Sequence, residues 1–158
     1  MLPHGEGRIV MTSSVMGLIS TPGRGAYAAS KYALEAWSDA LRMELAPFGV
    51  RVMEVQPGAI DTHFAKNAGA QAELLINEKS PWWPLREGIR ARSQASQDKP
   101  TPASVFAMDV LKAVQQPQPP RLLRSGNGSR ALPLMAGLLP KGLLESGLMK
   151  RFGLRGQL

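Results

Sequence analysis

A tyrosine and a lysine lie four residues apart in the segment YAASK, at Tyr27 and Lys31. In an α-helix this spacing places both side chains on one face, with about 6 Å between their Cβ atoms. A free phenol is a poor base because it titrates near pH ~10, and an ammonium group close by favours its ionised form. Such a phenol can exchange a proton with an alcohol or carbonyl oxygen while a hydride moves at the adjacent carbon. The Ser14 hydroxyl could hydrogen-bond to that oxygen and hold it in place.

These side chains depend on a predicted strand, helix and second strand for their positions. The apolar, β-branched run 8–13 (RIVMTS) predicts a buried strand. Over residues 26–46, apolar side chains recur at three- and four-residue steps, which predicts a helix that ends before Pro47. Residues 51–56 (RVMEVQ) predict the second strand. This order implies two parallel strands, and ligands of such sheets bind beyond the carboxyl ends, where Ser13 and Ser14 follow the first strand.

The composition limits the kinds of protein and site that the chain can form. Its 158 residues, 44% hydrophobic and 20% charged, predict a single globular domain. The chain has no cysteine, which excludes disulfides and thiolate metal sites. The two histidines, His4 and His63, lie far apart without a ligand pattern around them. We therefore expect both in surface or loop positions, and we expect no metal site.

The net charge of +7 is placed unevenly along the chain. Residues 1–62 hold 5 basic and 6 acidic side chains, whereas residues 63–158 hold 14 and 6. A basic second part can meet nucleic acid, anionic lipid or an anionic substrate. No zinc finger or ribonucleoprotein motif accompanies it, so we expect no nucleic-acid partner. The N-terminal residues lack a signal-peptide pattern and no apolar run reaches membrane-spanning length, which predicts a cytoplasmic protein.

The rest of the chain carries weaker signals. Residues 62–100 show no clear period and predict a long loop. Thr101 and Pro102 predict the N-cap and first position of a helix that runs to about Gln116. Residues 121–125 predict a last strand.

Prolines and glycines mark the remaining boundaries. Pro133 and Pro140 are expected to divide the apolar, basic residues 129–152 into short helices. The glycine clusters GEG (5–7), GRG (23–25) and SGNGS (125–129) are predicted to be turns. None of them is expected to follow a strand and open a helix, as a dinucleotide-binding turn does.

Three segments, taken in order, resemble the catalytic half of the short-chain dehydrogenase/reductase family: RIVMTSSVMG, PGRGAYAASKYALEAWSDALRMELAPFGVRV and VQPGAIDT. A tyrosine–lysine pair alone is common on exposed helix faces, and the agreement of all three segments makes the resemblance specific. It implies that Ser14 orients the substrate, that Tyr27 is the catalytic acid–base, and that Lys31 assists Tyr27 and binds the cofactor ribose.

The resemblance also implies which residues contact the cofactor. Besides Tyr27 and Lys31, they lie in the loop after the second strand: Pro57, Gly58, Ile60 and Thr62. The Ile60 backbone is expected to meet the nicotinamide carboxamide. Thr62 is expected to hydrogen-bond to the carboxamide or the pyrophosphate.

The implied fold class is α/β: the C-terminal half of a Rossmann-like doubly wound parallel sheet, with the N-terminal dinucleotide-binding βαβ units missing. We expect one partial domain over residues 1–158. It comprises a catalytic βαβ core at 8–65, a substrate loop at 66–100, and the last strand and C-terminal helices at 101–158. About three parallel strands are then expected, with the strand 8–13 at an exposed edge.

The implied activity is NAD(P)-dependent hydride transfer to or from an alcohol or carbonyl of a hydrophobic substrate, as in the branch that acts on steroids, retinoids and acylated lipid ketones. The cofactor is NAD or NADP. The glycine-rich pyrophosphate turn is not in this chain, so we expect the chain alone to bind the cofactor weakly. Two alternatives stay open: an inactive truncated remnant that pairs with a second copy through the helix 26–46, using Trp37 and Leu41, and peripheral membrane binding through residues 131–154.

Overall fold

A three-stranded parallel sheet organises the molecule. The computed structural model describes residues 1–154, without the side chains of residues 65, 71, 72 and 75. Strands β1 (Gly7–Thr12), β2 (Val50–Pro57) and β3 (Leu122–Ser125) lie in the order β1-β2-β3. Helix α1 (Gly25–Leu45) connects β1 to β2. The predicted βαβ unit and the three parallel strands are confirmed.

The strand register explains why β2 is the buried strand. Strands β1 and β2 pair from Gly7 opposite Val50 to Thr12 opposite Val55. On its other side, β2 pairs with β3 from Glu54 to Pro57. Strand β2 therefore has a neighbour on both sides, whereas β1 has only one among the described residues and forms an edge of the sheet, as predicted.

Successive side chains of β2 point to opposite faces of the sheet. Met53 and Val55 form an apolar cluster with Ala113 of helix α4 (Ala103–Val114). Glu54 and Gln56 point to the other face, where Gln56 hydrogen-bonds to Glu35 of α1. The sheet thus lies between α1 and α4, in a layered arrangement.

A second apolar cluster lies beyond the carboxyl end of β1. It consists of Met16, Ile19 and Ala28, with side chains from helices α5 (Ala131–Leu138) and α6 (Lys141–Arg151) packed against it. The C-terminal helices therefore cover the turn that follows β1.

The segment 62–100 is largely helical, so the prediction of a long loop was wrong. Helix α2 (Phe64–Leu75) and helix α3 (Arg86–Gln94) pack against each other. Helix α2 is rich in alanine, the residue with the strongest helix preference. The Arg90 guanidinium of α3 contacts the Glu73 carboxylate of α2 at 2.5 Å, which joins the two helices.

Thr101 does not cap the following helix. Pro102 is the N-cap residue of α4, and no side chain caps this helix end. The Thr101 hydroxyl accepts a hydrogen bond from the Asn127 amide at 3.0 Å instead. Because Thr101 is held by the loop after β3, its hydroxyl is not available to α4.

The C-terminal helices depart from the expectations at two points. Pro133 lies within the first turn of α5 and does not end it, since an amide at this position needs no partner within the helix. Of the two prolines, only Pro140 lies between α5 and α6. The SGNGS cluster leads into a turn, as predicted, and this turn lies between strand β3 and helix α5. The other two glycine clusters end at Gly7 and Gly25, the first residues of β1 and α1.

Candidate active site

Tyr27 and Lys31 lie in the first two turns of α1 and contact each other. The Lys31 ammonium is 5.7 Å from the centre of the Tyr27 ring. It also donates a hydrogen bond to the carbonyl oxygen of Thr12, the last residue of β1, at 2.9 Å. The lysine therefore ties the start of α1 to the carboxyl end of β1.

Ser14 lies at this same strand end and is buried. Its hydroxyl oxygen accepts a hydrogen bond from the Met16 amide at 3.2 Å, and the hydroxyl can still donate its own proton. Tyr27 packs against the apolar cluster that contains Met16. Lys31 is thus bonded to the end of β1, two residues before Ser14, and Tyr27 lies beside Lys31 on α1.

The loop after β2 is held at the neighbouring strand end. The Gly58 amide donates to the Ser125 carbonyl at 2.9 Å, and the Ala59 amide donates to the Asn127 carbonyl at 2.8 Å. A Cβ atom at Gly58 would clash with the Asn127 carbonyl oxygen, so this close approach requires glycine. The loop that begins at Pro57 is therefore fixed by the chain that follows β3.

Ile60 has a backbone amide and carbonyl without a backbone hydrogen bond within residues 1–154. The Thr101 amide donates to the Ala59 carbonyl, and the Asp61 amide donates to the Thr101 carbonyl, each at 2.9 Å. These two bonds involve the neighbours of Ile60, Ala59 and Asp61. Within residues 1–154, none of the backbone hydrogen bonds involves the amide or the carbonyl of Ile60 itself. A free donor and a free acceptor on one residue match the two polar groups of a carboxamide. The Thr62 side chain is exposed, and its hydroxyl accepts a bond from the Phe64 amide at 3.4 Å.

A buried polar network below these strand ends escaped the sequence analysis. The Ser13 hydroxyl donates to the Glu35 carboxylate at 2.6 Å. The Gln56 side-chain amide donates to both Glu35 oxygens, at 2.8 and 2.9 Å, and to a Glu54 oxygen at 3.0 Å. The Arg124 guanidinium donates to the Gln56 oxygen at 2.9 Å. The network joins α1 to β2, to β3 and to Ser13, the residue after β1. The glutamate within the apolar run VRVMEV was the only sequence signal for it.

Glu54 is the most perturbed acid of this network. Its pKa is raised to about 8, mainly by burial and then by the hydrogen bond and negative charge of Glu35. The hydrogen bond from Gln56 and the charge of Arg42 act in the opposite direction. Two carboxyl groups that share one buried site do not both ionise readily. The surroundings of Glu54 therefore favour the protonated form of its carboxyl group.

Two cavities lie beside α3 rather than at the tyrosine. One, of about 550 Å³, opens between α2 and α3 and is bordered by Thr62, His63 and Lys66. The other, of about 220 Å³, is bordered by Arg24, Arg92 and other residues discussed below. Ser14, Tyr27 and Lys31 line neither of them. His4 and His63 are both exposed, as expected.

Residues 1–154 show no cluster of three or more side chains suited to hold a metal ion. In the same residues, every helix is too short or too polar to cross a bilayer.

Comparison with known proteins identifies related sequences. A family model described as short chain dehydrogenase matches residues 1–73. The chain is 79% identical over 67 residues to the uncharacterized oxidoreductase YbbO of Escherichia coli (strain K12), a match that covers 42% of this chain and 25% of that protein. It is 30% identical over 150 residues to an NADPH-dependent 1-acyldihydroxyacetone phosphate reductase of Saccharomyces cerevisiae (strain ATCC 204508 / S288c), which covers 94% of this chain and 49% of that protein.

The fold is also that of a solved structure. A short chain dehydrogenase/reductase from Burkholderia phymatum, crystallised in complex with NAD, is similar with a TM-score of 0.63 at 26% identity. The match covers 87% of this chain and 48% of that one. This chain therefore spans about half the length, or less, of the proteins that it resembles.

Proposed function

The chain belongs to the short-chain dehydrogenase/reductase family, and on this basis we propose that it carries the catalytic residues of an NAD(P)-dependent oxidoreductase. The proposed reaction moves a hydride between a nicotinamide ring and an alcohol or carbonyl carbon. The observation that supports it best is the position of Lys31, which lies 5.7 Å from the Tyr27 ring and is bonded to the end of β1, two residues before Ser14.

Each of the three side chains has a separate task in this proposal. The nicotinamide, when bound, supplies or accepts the hydride. In the reducing direction, the Tyr27 phenol donates its proton to the carbonyl oxygen, which becomes the alcohol oxygen. The Lys31 ammonium stabilises the phenolate that remains, and the Ser14 hydroxyl donates a hydrogen bond to the reacting oxygen. The oxidising direction reverses the proton transfer.

We assign the cofactor contacts to the loop that follows β2. The free amide and carbonyl of Ile60 can bind a carboxamide, while Pro57 and Gly58 hold the loop in place and Thr62 offers a hydroxyl. One relative is NADPH-dependent by name, and one similar structure contains NAD. The proposal therefore covers both dinucleotides.

The surroundings of Tyr27 support an apolar substrate. The Phe64 ring lies 5.5 Å from the Tyr27 ring, and Phe64 is 51% exposed. An exposed aromatic ring beside the reacting group can pack against the body of a hydrophobic substrate. The yeast relative is, by its name, a reductase of an acylated compound.

The two tyrosines of the chain provide the test, because both lie on α1. Tyr27 contacts Lys31, whereas Tyr32 is 45% exposed. The purified 158-residue chain is assayed by nicotinamide absorbance with medium-chain ketones and alcohols, and with NADH or NADPH at millimolar concentration because we expect weak cofactor binding. Tyr27→Phe should lower turnover by at least about 100-fold, since it removes the transferred proton, whereas Tyr32→Phe should stay within about twofold of the wild type.

Equal turnover in the wild type and Tyr27→Phe would contradict the assigned role. No turnover in the wild type at any cofactor concentration would favour the alternative, an inactive chain that acts through association.

A further inference from the structure

The cavity of about 220 Å³ beside α3 is bordered by basic and apolar side chains. It lies between the turn that precedes α1, helices α2 and α3, and the residues that follow α6. Arg24 and Arg92 supply its charge, whereas Ile89, Phe152 and Leu154 supply apolar surface. The cavity is thus partly apolar and partly cationic.

Two guanidinium groups border this cavity, and a third lies beside Phe152, one of its lining residues. The Arg92 guanidinium lies 5.7 Å and the Arg151 guanidinium 5.8 Å from the centre of the Phe152 ring. Arg24 borders the same cavity and contacts the Phe64 ring at 5.8 Å. Three positive charges around one apolar cavity repel one another.

The protein provides no anion for these arginines among the described residues. Arg92 donates to the Thr21 hydroxyl at 2.6 Å and to the Met16 sulfur at 3.7 Å, which are both neutral partners. All ion pairs found within residues 1–154 belong to other cations: Arg42, Arg86, Arg90 and Arg121.

This arrangement has a cost that an anion would relieve. Burial lowers the pKa of Arg92 to about 10, and the charges of Arg24 and Arg151 add to this effect. A partly buried cation without a partner is destabilising, and a bound anion would satisfy it with charge-assisted hydrogen bonds. Guanidinium groups match the paired oxygens of phosphate and carboxylate.

We propose that this cavity binds an organic anion, a phosphate or carboxylate carried on an apolar chain. Arg24 and Arg92 bind the charged group, and Ile89 and Phe152 pack against the chain. This inference rests on the proposed function in one respect: the anionic group is taken to be the polar end of the substrate of the proposed reaction. Arg24 precedes Tyr27 by three residues, and Phe64 contacts both of them, so a molecule held at Arg24 extends past Phe64 towards the phenol.

Helix α3 offers a matched pair of variants to test the proposal. Arg92 borders this cavity and has no acidic partner within residues 1–154, whereas Arg90 is paired with Glu73 and Glu87 and borders the other cavity. The binding of octyl phosphate, octanoate and inorganic phosphate to the 158-residue chain is measured by isothermal titration calorimetry. Arg92→Gln should weaken octyl phosphate binding by roughly tenfold or more, the loss expected for a charge-assisted contact. Arg90→Gln should weaken it by less than about twofold.

Comparing the anions separates the contribution of the charged group to the affinity from that of the apolar chain. Octyl phosphate should bind more tightly than inorganic phosphate because the chain packs in the apolar part of the cavity. Arg24→Gln, at the turn before α1, serves as a second variant and should also weaken binding, which matters if circular dichroism shows that Arg92→Gln does not fold.

Binding that is equal in the wild type and both cavity variants, or that falls most in Arg90→Gln, would overturn the proposal. So would the absence of any binding by the wild type. Tyr27→Phe separates this test from that of the proposed function, because it should abolish turnover and leave octyl phosphate binding unchanged. If the wild type binds octyl phosphate but shows no turnover, the proposed enzymatic activity is refuted and the proposed anion site stands.

Discussion

Glu54 shows how the surroundings of one residue govern a property of the whole chain. Its carboxyl group is buried in the central strand and hydrogen-bonds to the Gln56 amide, with the Glu35 carboxylate beside it. Its pKa rises from the ordinary 4.5 to about 8 in the folded state. The unfolded chain therefore loses this proton at lower pH than the folded chain does.

The stability of the chain should fall as the pH rises from about 5 to 8. The contribution of Glu54 to stability is fully present below the unfolded pKa and is lost as the pH rises through the raised folded pKa. Glu54→Gln keeps the shape of the side chain and removes the titration. Urea unfolding from pH 5 to 8 should therefore show a flatter pH dependence of the free energy of unfolding in this variant.

Glu44 provides the matched control for this prediction. It lies exposed on α1, so Glu44→Gln should show the same pH dependence as the wild type. Parallel curves for the wild type and Glu54→Gln would mean that Glu54 is ionised in the folded protein.

Helix α3 and the C-terminal segment meet through a close contact between elements. A Cβ atom at Gly88 of α3 would clash with the Phe152 carbonyl oxygen, a backbone atom that cannot rotate away. This contact closes the cavity that Arg92 borders. The position of α3 therefore depends on a glycine at residue 88.

Gly88→Ala should destabilise the chain by about 1–3 kcal/mol, because the added methyl group separates the two elements. Gly147, in the middle of α6, has no atom within 4 Å of its would-be Cβ. Gly147→Ala should therefore stabilise the chain by up to about 1 kcal/mol, through helix preference alone. Urea unfolding of both variants measures the difference, and a Gly88→Ala chain as stable as the wild type would disprove the contact.

Two surfaces of the whole molecule are suited to association with a second copy. Trp37 on the outer side of α1 is 59% exposed, and β1 leaves one edge of the sheet without a partner among the described residues. An open strand edge invites pairing or aggregation, whereas Trp37 provides a large apolar side chain that a second copy could cover.

We propose that the chain forms dimers through α1, which is one of the alternatives that the sequence left open. Light scattering after size-exclusion chromatography should show a dimer for the wild type and a monomer for Trp37→Lys. Val10→Lys, which places a charge on the edge strand, should keep the dimer and aggregate more slowly. A monomeric Val10→Lys together with a dimeric Trp37→Lys would identify the β1 edge as the interface instead.

The sequence predicted the parts of the molecule in which local spacing decides the geometry. Residues four apart on a helix lie on one face, so Tyr27 and Lys31 had to be neighbours once α1 formed. The apolar runs around them predicted the bounds of β1 and β2 to within about two residues. The turn residues of VQPGAIDT predicted the loop after β2.

Only the tertiary structure showed which distant residues meet. Glu35, Glu54 and Arg124 share a network because β1, β2 and β3 pair in one particular register, and Arg24, Arg92 and Arg151 converge because α3 packs under the C-terminal residues. Thr101 likewise bonds to Asn127 and not to its own helix. Helix and strand periods act over a few residues along the chain, whereas these contacts depend on how the finished elements pack.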